Sequence, residues 1–229
     1  MDESERQELL NRQFRFAQEP RMWHATGEDL VSAAEALVSS AMTKVAAYEL
    51  AEKRALAECE RIGAENGRGE GVAVIDAEPP DFLPAFLLYG YALENFLKGI
   101  IVAKDPSKIG TEKIGIPAIH SLVALAEETG FEIGYRDQDN LERLTVITTW
   151  SGRYPVARSV EKWQGVPLDR AAIFPFPTRS VEEIRSLTDR IRNALAIYCP
   201  PRDRRSMLVV HPYVTARGLT AITTLRPRR

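Results

Sequence analysis

Between residues 26 and 62, apolar side chains return every three, four or seven positions: Leu30, Ala34, Leu37, Ala41, Val45, Tyr48, Ala55 and Ile62. That spacing draws one stripe along a helix face. Thr26 and Gly27 can open the helix, with Glu28 and Asp29 in its first turn, and Gly63 can close it. Such a helix would be about 55 Å long at 1.5 Å per residue. That is long for a small bundle, so a bend near Ser39–Ser40 or a projecting end is expected. Residues 63–81 hold four glycines and two prolines and read as a loop, with Val72–Ile75 as one short strand at most.

The pattern changes at Phe82. From there to Lys104 apolar residues occupy nearly every face, as in a helix buried among neighbours. Residues 105–117 form a loop. Pro117 opens a short helix through Glu128, closed by Gly130. Asp137 or Asp139 caps another through Trp150, closed by Gly152. Residues 155–177 contain four prolines and read as an ordered excursion over the surface. Ser180 and Glu183 have the spacing of a capping box for a helix over 180–198, whose apolar face carries Val181, Ile184, Leu187, Ile191, Leu195 and Tyr198. Ser206–Val214 is extended in character. Five helical segments around one apolar helix predict an all-α bundle.

Composition adds a division. The 229 residues carry a net charge of −2, but residues 200–229 contain seven Arg and one Asp, or +6, which leaves −8 on residues 1–199. We therefore read residues 1–199 as the helical body and 200–229 as a basic C-terminal extension. A basic segment on an acidic body suits a nucleic-acid arm, an electrostatic clamp on the body, or a solvated tail. The two cysteines, Cys59 and Cys199, make no disulfide framework and no metal knuckle. The acidic start, Met1–Leu10, lacks the apolar core of a signal peptide. No uncharged apolar run reaches the roughly 18 residues a span needs. A soluble cytoplasmic protein is the expectation.

The apolar run over 82–103 carries one carboxylate, Glu94, and one amine, Lys98. Glu four residues before Lys is the favourable order on a helix. Buried charges need partners, so the plain reading is mutual pairing plus a bond to a neighbouring helix. The functional reading is a polar patch at a groove or a dimer face. The glycines of 63–71 are not followed by Gly-Lys-Ser/Thr, so no phosphate loop is present. Neither a His-Glu-x-x-His pair nor a Gly-x-Ser-x-Gly elbow occurs. No cofactor and no metal are called for.

Three segments in order, Tyr89–Lys104, Gly115–Phe131 and Leu141–Val156, resemble the HEPN helical-bundle superfamily. The matching features are the Glu94–x–x–x–Lys98 pair, the His120–Ser121–Leu122 helix start, and Trp150–Val156 with Arg153 and Tyr154. The resemblance covers about residues 82–160. It implies an up-and-down bundle, and a setting in a bacterial defence or toxin system. Many members are metal-independent ribonucleases that use an Arg, four to six residues, then His. His24 and His120 have no Arg at that distance, and Arg153 leads to Arg158 rather than His. His211 follows Arg205 after five residues and Arg204 after six, but with 23 Arg in the chain a chance match is common. Taken alone, His120 reads as a capping or packing residue, and Trp150 and Tyr154 as core or interface aromatics.

Two functions follow as expectations. The first is a non-catalytic interaction or RNA-associated module, with Arg202, Arg204, Arg205 and Arg217 as phosphate contacts. The alternative is a metal-independent endoribonuclease using Arg205 and His211. The resemblance also implies a homodimer. The segment Thr148–Val156 supplies Trp150, Arg153 and Tyr154, residue types enriched at interface hot spots. RNA or a protein of a defence system would be the partner, and no membrane is expected.

Overall fold

The computed structural model describes residues 2–67, 71–116, 118–151, 179–199, 214–215 and 218–219. It divides into two units, Met1–Cys199 and Pro200–Arg229. The first is all-α. Its described elements are α1 (Glu3–Ala17), α2 (Pro20–Glu65), α3 (Leu83–Lys104), α4 (Leu122–Thr129), α5 (Tyr135–Val146) and α6 (Arg179–Ala196). A 3-10 turn (Pro106–Lys108) follows α3, and a π-helical turn (Ile147–Ser151) continues α5. In the second unit, β1 (Val214–Thr215) pairs antiparallel with β2 (Gly218–Leu219), Val214 opposite Leu219.

The bundle is built around α3, on which α2, α4, α5 and α6 all pack. Its apolar circumference explains this: Phe86, Tyr89, Leu93, Phe96, Leu97 and Val102 are all buried. From α2 come Ala34, Val38 and Ala41; from α4, Leu122 and Leu125; from α5, Leu141 and Leu144; from α6, Val181, Ile184, Leu187, Ile191 and Leu195. The small residues of α2 let a long helix lie close along α3. By length and composition α2 and α3 could each cross a membrane, although the run between Phe82 and Ala103 contains two charges. In this fold 67% of the most apolar window of α3 is buried inside the protein, as in the core helix of a bundle.

Several boundaries differ from the sequence reading. The long helix starts at Pro20, not Thr26, because Pro suits the first helical position and Glu19 is extended before it. Gly63 does not end it; that residue is buried inside the helix, which stops at Glu65. Residues beyond Val45 leave the core and project. Val72–Ile75 forms no strand. Instead the segment runs back along the projecting helix: a Cβ on Gly71 would come within 2.2 Å of the Cys59 carbonyl oxygen, and Lys44 pairs with Glu78. From Lys44 to Cys59 the helix rises about 23 Å, and seven extended residues reach about the same distance. The segment is thus an extended strap along the helix.

The short helix begins at Leu122 rather than Pro117, because the Ser121 hydroxyl accepts the Ala124 N–H and caps it. It ends at Gly130, which is left-handed. Neither Asp137 nor Asp139 caps α5. Gly134 is the cap residue, and the Asp137 carboxylate accepts its N–H from the third helical position. Asp139 pairs with Arg143 instead. Ser180 lies within α6, buried, so the expected capping box does not start that helix. One helix, α1, escaped the sequence reading altogether. The proline-rich stretch 155–177 lies outside the described residues.

Candidate functional site

Glu94 and Lys98 face the start of α4 from the middle of α3. The Lys98 ammonium donates to Glu94 Oε1 at 2.6 Å, and His120 Nδ1 lies 3.1 Å from the same oxygen. The carboxylate and the amine are 11% and 13% exposed, whereas the imidazole is 64% exposed. An ionised carboxylate only accepts, so Nδ1 carries the proton in this contact. The pairing that the sequence led one to expect is therefore present, but its third member comes from the segment before α4 and not from a helix. His120 neither caps nor packs in the core. It closes over the pair from the solvent side.

Local structure holds this imidazole in place. His120 immediately precedes the cap residue Ser121, and Leu122, next along, is fully buried. The Leu122 N–H donates to Thr145 Oγ1 of α5 at 3.0 Å. Thr145 in turn donates to the Leu141 carbonyl. The backbone at 120–122 is thus tied to α5, while Glu94 is carried by α3.

The π turn beside this site has a chemical cause. Ile147, Thr148 and Thr149 are β-branched and fit an α-helix poorly. The Thr148 hydroxyl donates to the carbonyls of Leu144 and Thr145, and Thr149 to those of Thr145 and Val146. These hydroxyls satisfy carbonyls that a widened turn leaves without their usual partners. Gly90 allows the approach: a Cβ there would sit 2.4 Å from Thr148 Cγ2.

A second polar cluster, which the sequence did not reveal, joins three helices. Arg185 of α6 grips Glu35 of α2 with two nitrogens, Nε at 2.9 Å, and also reaches Glu182. The buried Tyr89 hydroxyl of α3 donates to the same Glu35 carboxylate. The Arg185 bond holds the Glu35 carboxyl below the ordinary carboxylate range. Burial, then the bond to Glu35, pushes the Tyr89 hydroxyl upward. A third pair, Asp137–Arg190, ties α5 to α6. Burial pushes the Asp137 carboxyl up, but Arg190 and the Gly134 N–H outweigh it and hold it below its usual value. Glu35 lies 54 residues from Tyr89 and 150 from Arg185. No local spacing signals a cluster assembled over such separations.

The structure therefore brings together Glu94, Lys98 and His120. Arg153 and Tyr154 lie outside the described residues, as do Arg202, Arg204, Arg205, His211 and Arg217. Among the described residues no group of three or more His, Cys, Asp or Glu side chains is placed to hold a metal. Cys199 is half-buried, and burial pushes its thiol up, away from the reactive thiolate. Comparison with family models, with curated proteins and with solved structures finds no match to this chain.

Proposed function

We propose that this protein is a non-catalytic, HEPN-like interaction module that associates with RNA through its basic C-terminal segment, in a bacterial defence or toxin setting. The observation that carries this reading is the Glu94–Lys98–His120 cluster. It is made of three residues at the positions on which the resemblance rests. The cluster offers an exposed imidazole held through Nδ1 by Glu94, on a nearly neutral ion pair anchored in α3. No Arg precedes His120 at the spacing that the family's ribonucleases use, which favours the non-catalytic reading. The RNA association rests on charge: +6 on residues 200–229 beside −8 on the body.

The second reading, a metal-independent ribonuclease, is favoured by the Arg205–His211 spacing in the sequence. One experiment separates them. Full-length protein is mixed with structured and unstructured RNA in EDTA, at low and high salt. Binding without cleavage, weakening steeply with salt, is the expected result. Cleavage that His211→Ala abolishes while binding persists would select the ribonuclease. No binding at low salt would remove RNA from both readings.

A further inference from the structure

The strap after α2 presents an open edge. Along Gly71–Glu78 exposure alternates residue by residue. Gly71, Ala73, Ile75 and Ala77 are half-buried toward α2, while Val72, Val74, Asp76 and Glu78 are exposed. Period two is the mark of extended backbone, whose successive side chains point to opposite faces. Val72 and Val74, neighbours on the outer face, are 88% and 83% exposed. No backbone N–H or C=O of residues 71–78 bonds to another backbone group among the described residues. The strap therefore carries rows of free donors and acceptors, as the edge of a sheet does. Pro79 and Pro80 lack N–H groups, so the rows stop there.

Another extended backbone can satisfy such an edge. Two strands alone are marginal in water, but α2 supplies the packing surface that an isolated pair lacks. The outward side chains choose the occupant. From 78 back to 72 they are Glu78, Asp76, Val74 and Val72. Asp76 has no partner among the described residues, and Glu78 bonds Lys44 through Oε1 alone. Side chains directly opposite across a strand pair attract when apolar meets apolar and acid meets base. A second copy fits poorly. Full overlap of two such segments sets each valine against a carboxylate when antiparallel, and Asp76 against Asp76 when parallel. RNA fits no better, because the carboxylates repel phosphate. A peptide with two basic and then two apolar residues, at alternate positions, matches all four side chains of an antiparallel neighbour.

We propose that Val72–Glu78 is an open strand edge that binds an extended peptide of a partner protein by strand addition. The peptide runs antiparallel, with two basic residues facing Glu78 and Asp76 and two β-branched apolar residues facing Val74 and Val72. This surface does not rest on the HEPN reading.

The test uses the full chain and a synthetic peptide, Lys-Thr-Lys-Thr-Val-Thr-Val, capped at both ends and labelled for fluorescence anisotropy. Saturable binding is expected. The reversed peptide has the same composition and charge, so it measures plain attraction to the acidic body. It should bind at least about tenfold more weakly. Val72→Lys with Val74→Lys should weaken the forward peptide about tenfold or more, because both apolar pairs are lost. Both valines are exposed in the free chain, so thermal unfolding of that variant should match the wild type. Asp76→Lys should weaken the forward peptide about fivefold or more, and Glu at the third position of the peptide should restore binding to that variant. Methylating alternate backbone nitrogens of the peptide tests the ladder. One alternate set should abolish binding, and the other should leave it within about twofold. Absence of binding overturns the proposal, as do equal affinities for the forward and reversed peptides. Binding that survives both methylations overturns strand addition, and indifference to Asp76→Lys overturns the pairing.

Discussion

Glu94 joins an amine buried in the body to an imidazole at its surface, and removing it strands the amine. Glu94→Ala should cost roughly 2–4 kcal/mol, slightly below the usual value for breaking a buried pair because Lys98 keeps some exposure. Changing both residues, Glu94→Leu with Lys98→Met, should cost less than Glu94→Ala alone. His120→Ala should cost under about 1 kcal/mol, as for one exposed hydrogen bond. Denaturant midpoints of the four proteins give the order, and a double variant weaker than Glu94→Ala would contradict it. Glu35 answers to pH. Its folded carboxyl lies below the ordinary value because Arg185 holds it charged. The stabilisation is thus complete above the unfolded carboxyl value and is lost as pH falls through the folded one. Stability of wild type minus that of Glu35→Gln should be positive at pH 7 and shrink below about pH 4. A difference that grows on acidification would show that the grip is not ionic. The Glu94–Lys98 pair was legible because both charges sit on one helix, four residues apart. The grip on Glu35 was not, because its partners come from α3 and α6.

At the level of elements, the passage from α5 into the π turn depends on contact with α3. Gly90→Ala places a methyl against Thr148 Cγ2. It should destabilise by about 1–3 kcal/mol through overpacking, although Ala is the better helix former. Thr148→Ser removes that Cγ2 and keeps the hydroxyl. Gly90→Ala/Thr148→Ser should therefore be more stable than Gly90→Ala, as read from melting temperatures. No recovery would mean that the clash is with backbone. The regular stripe of α6 placed both of its ends from sequence to within two residues. For α2 it missed the start by six residues, because Pro20 opens the helix through backbone geometry that no hydrophobic pattern records. The helix α1 was missed for a related reason: its stripe is short, and its first half is charged.

For the whole molecule, the core of the described residues runs from Ala34 to Leu195, and residues 200–229 form a separate unit. Deleting 200–229 should leave the far-UV helical signal per molecule and the melting temperature nearly unchanged. The same deletion should lower RNA affinity at least about tenfold at low salt. If all seven arginines of the segment engage phosphates, the affinity of the intact protein for single-stranded RNA should fall with a log–log salt slope near about −5. Filter binding across a salt series measures both. Affinity that survives the deletion would place the RNA surface on the acidic body instead, against this reading.

The sequence by itself determined the class of fold, because the three-to-four spacing of apolar residues in α2 and α6 and the apolar girth of α3 leave a helical bundle as the economical burial. It also determined that Glu94 and Lys98 would meet, since helical rise alone brings them together. Tertiary structure decided the rest. Only packing could seat His120 over that pair, bring Arg185 to Glu35, and turn the glycine-rich segment after α2 into an extended strap. Each of these joins residues far apart in the chain, and a single sequence carries no distance information beyond a few turns. Only packing, too, could leave Leu9, Leu10 and Phe14 of α1 exposed.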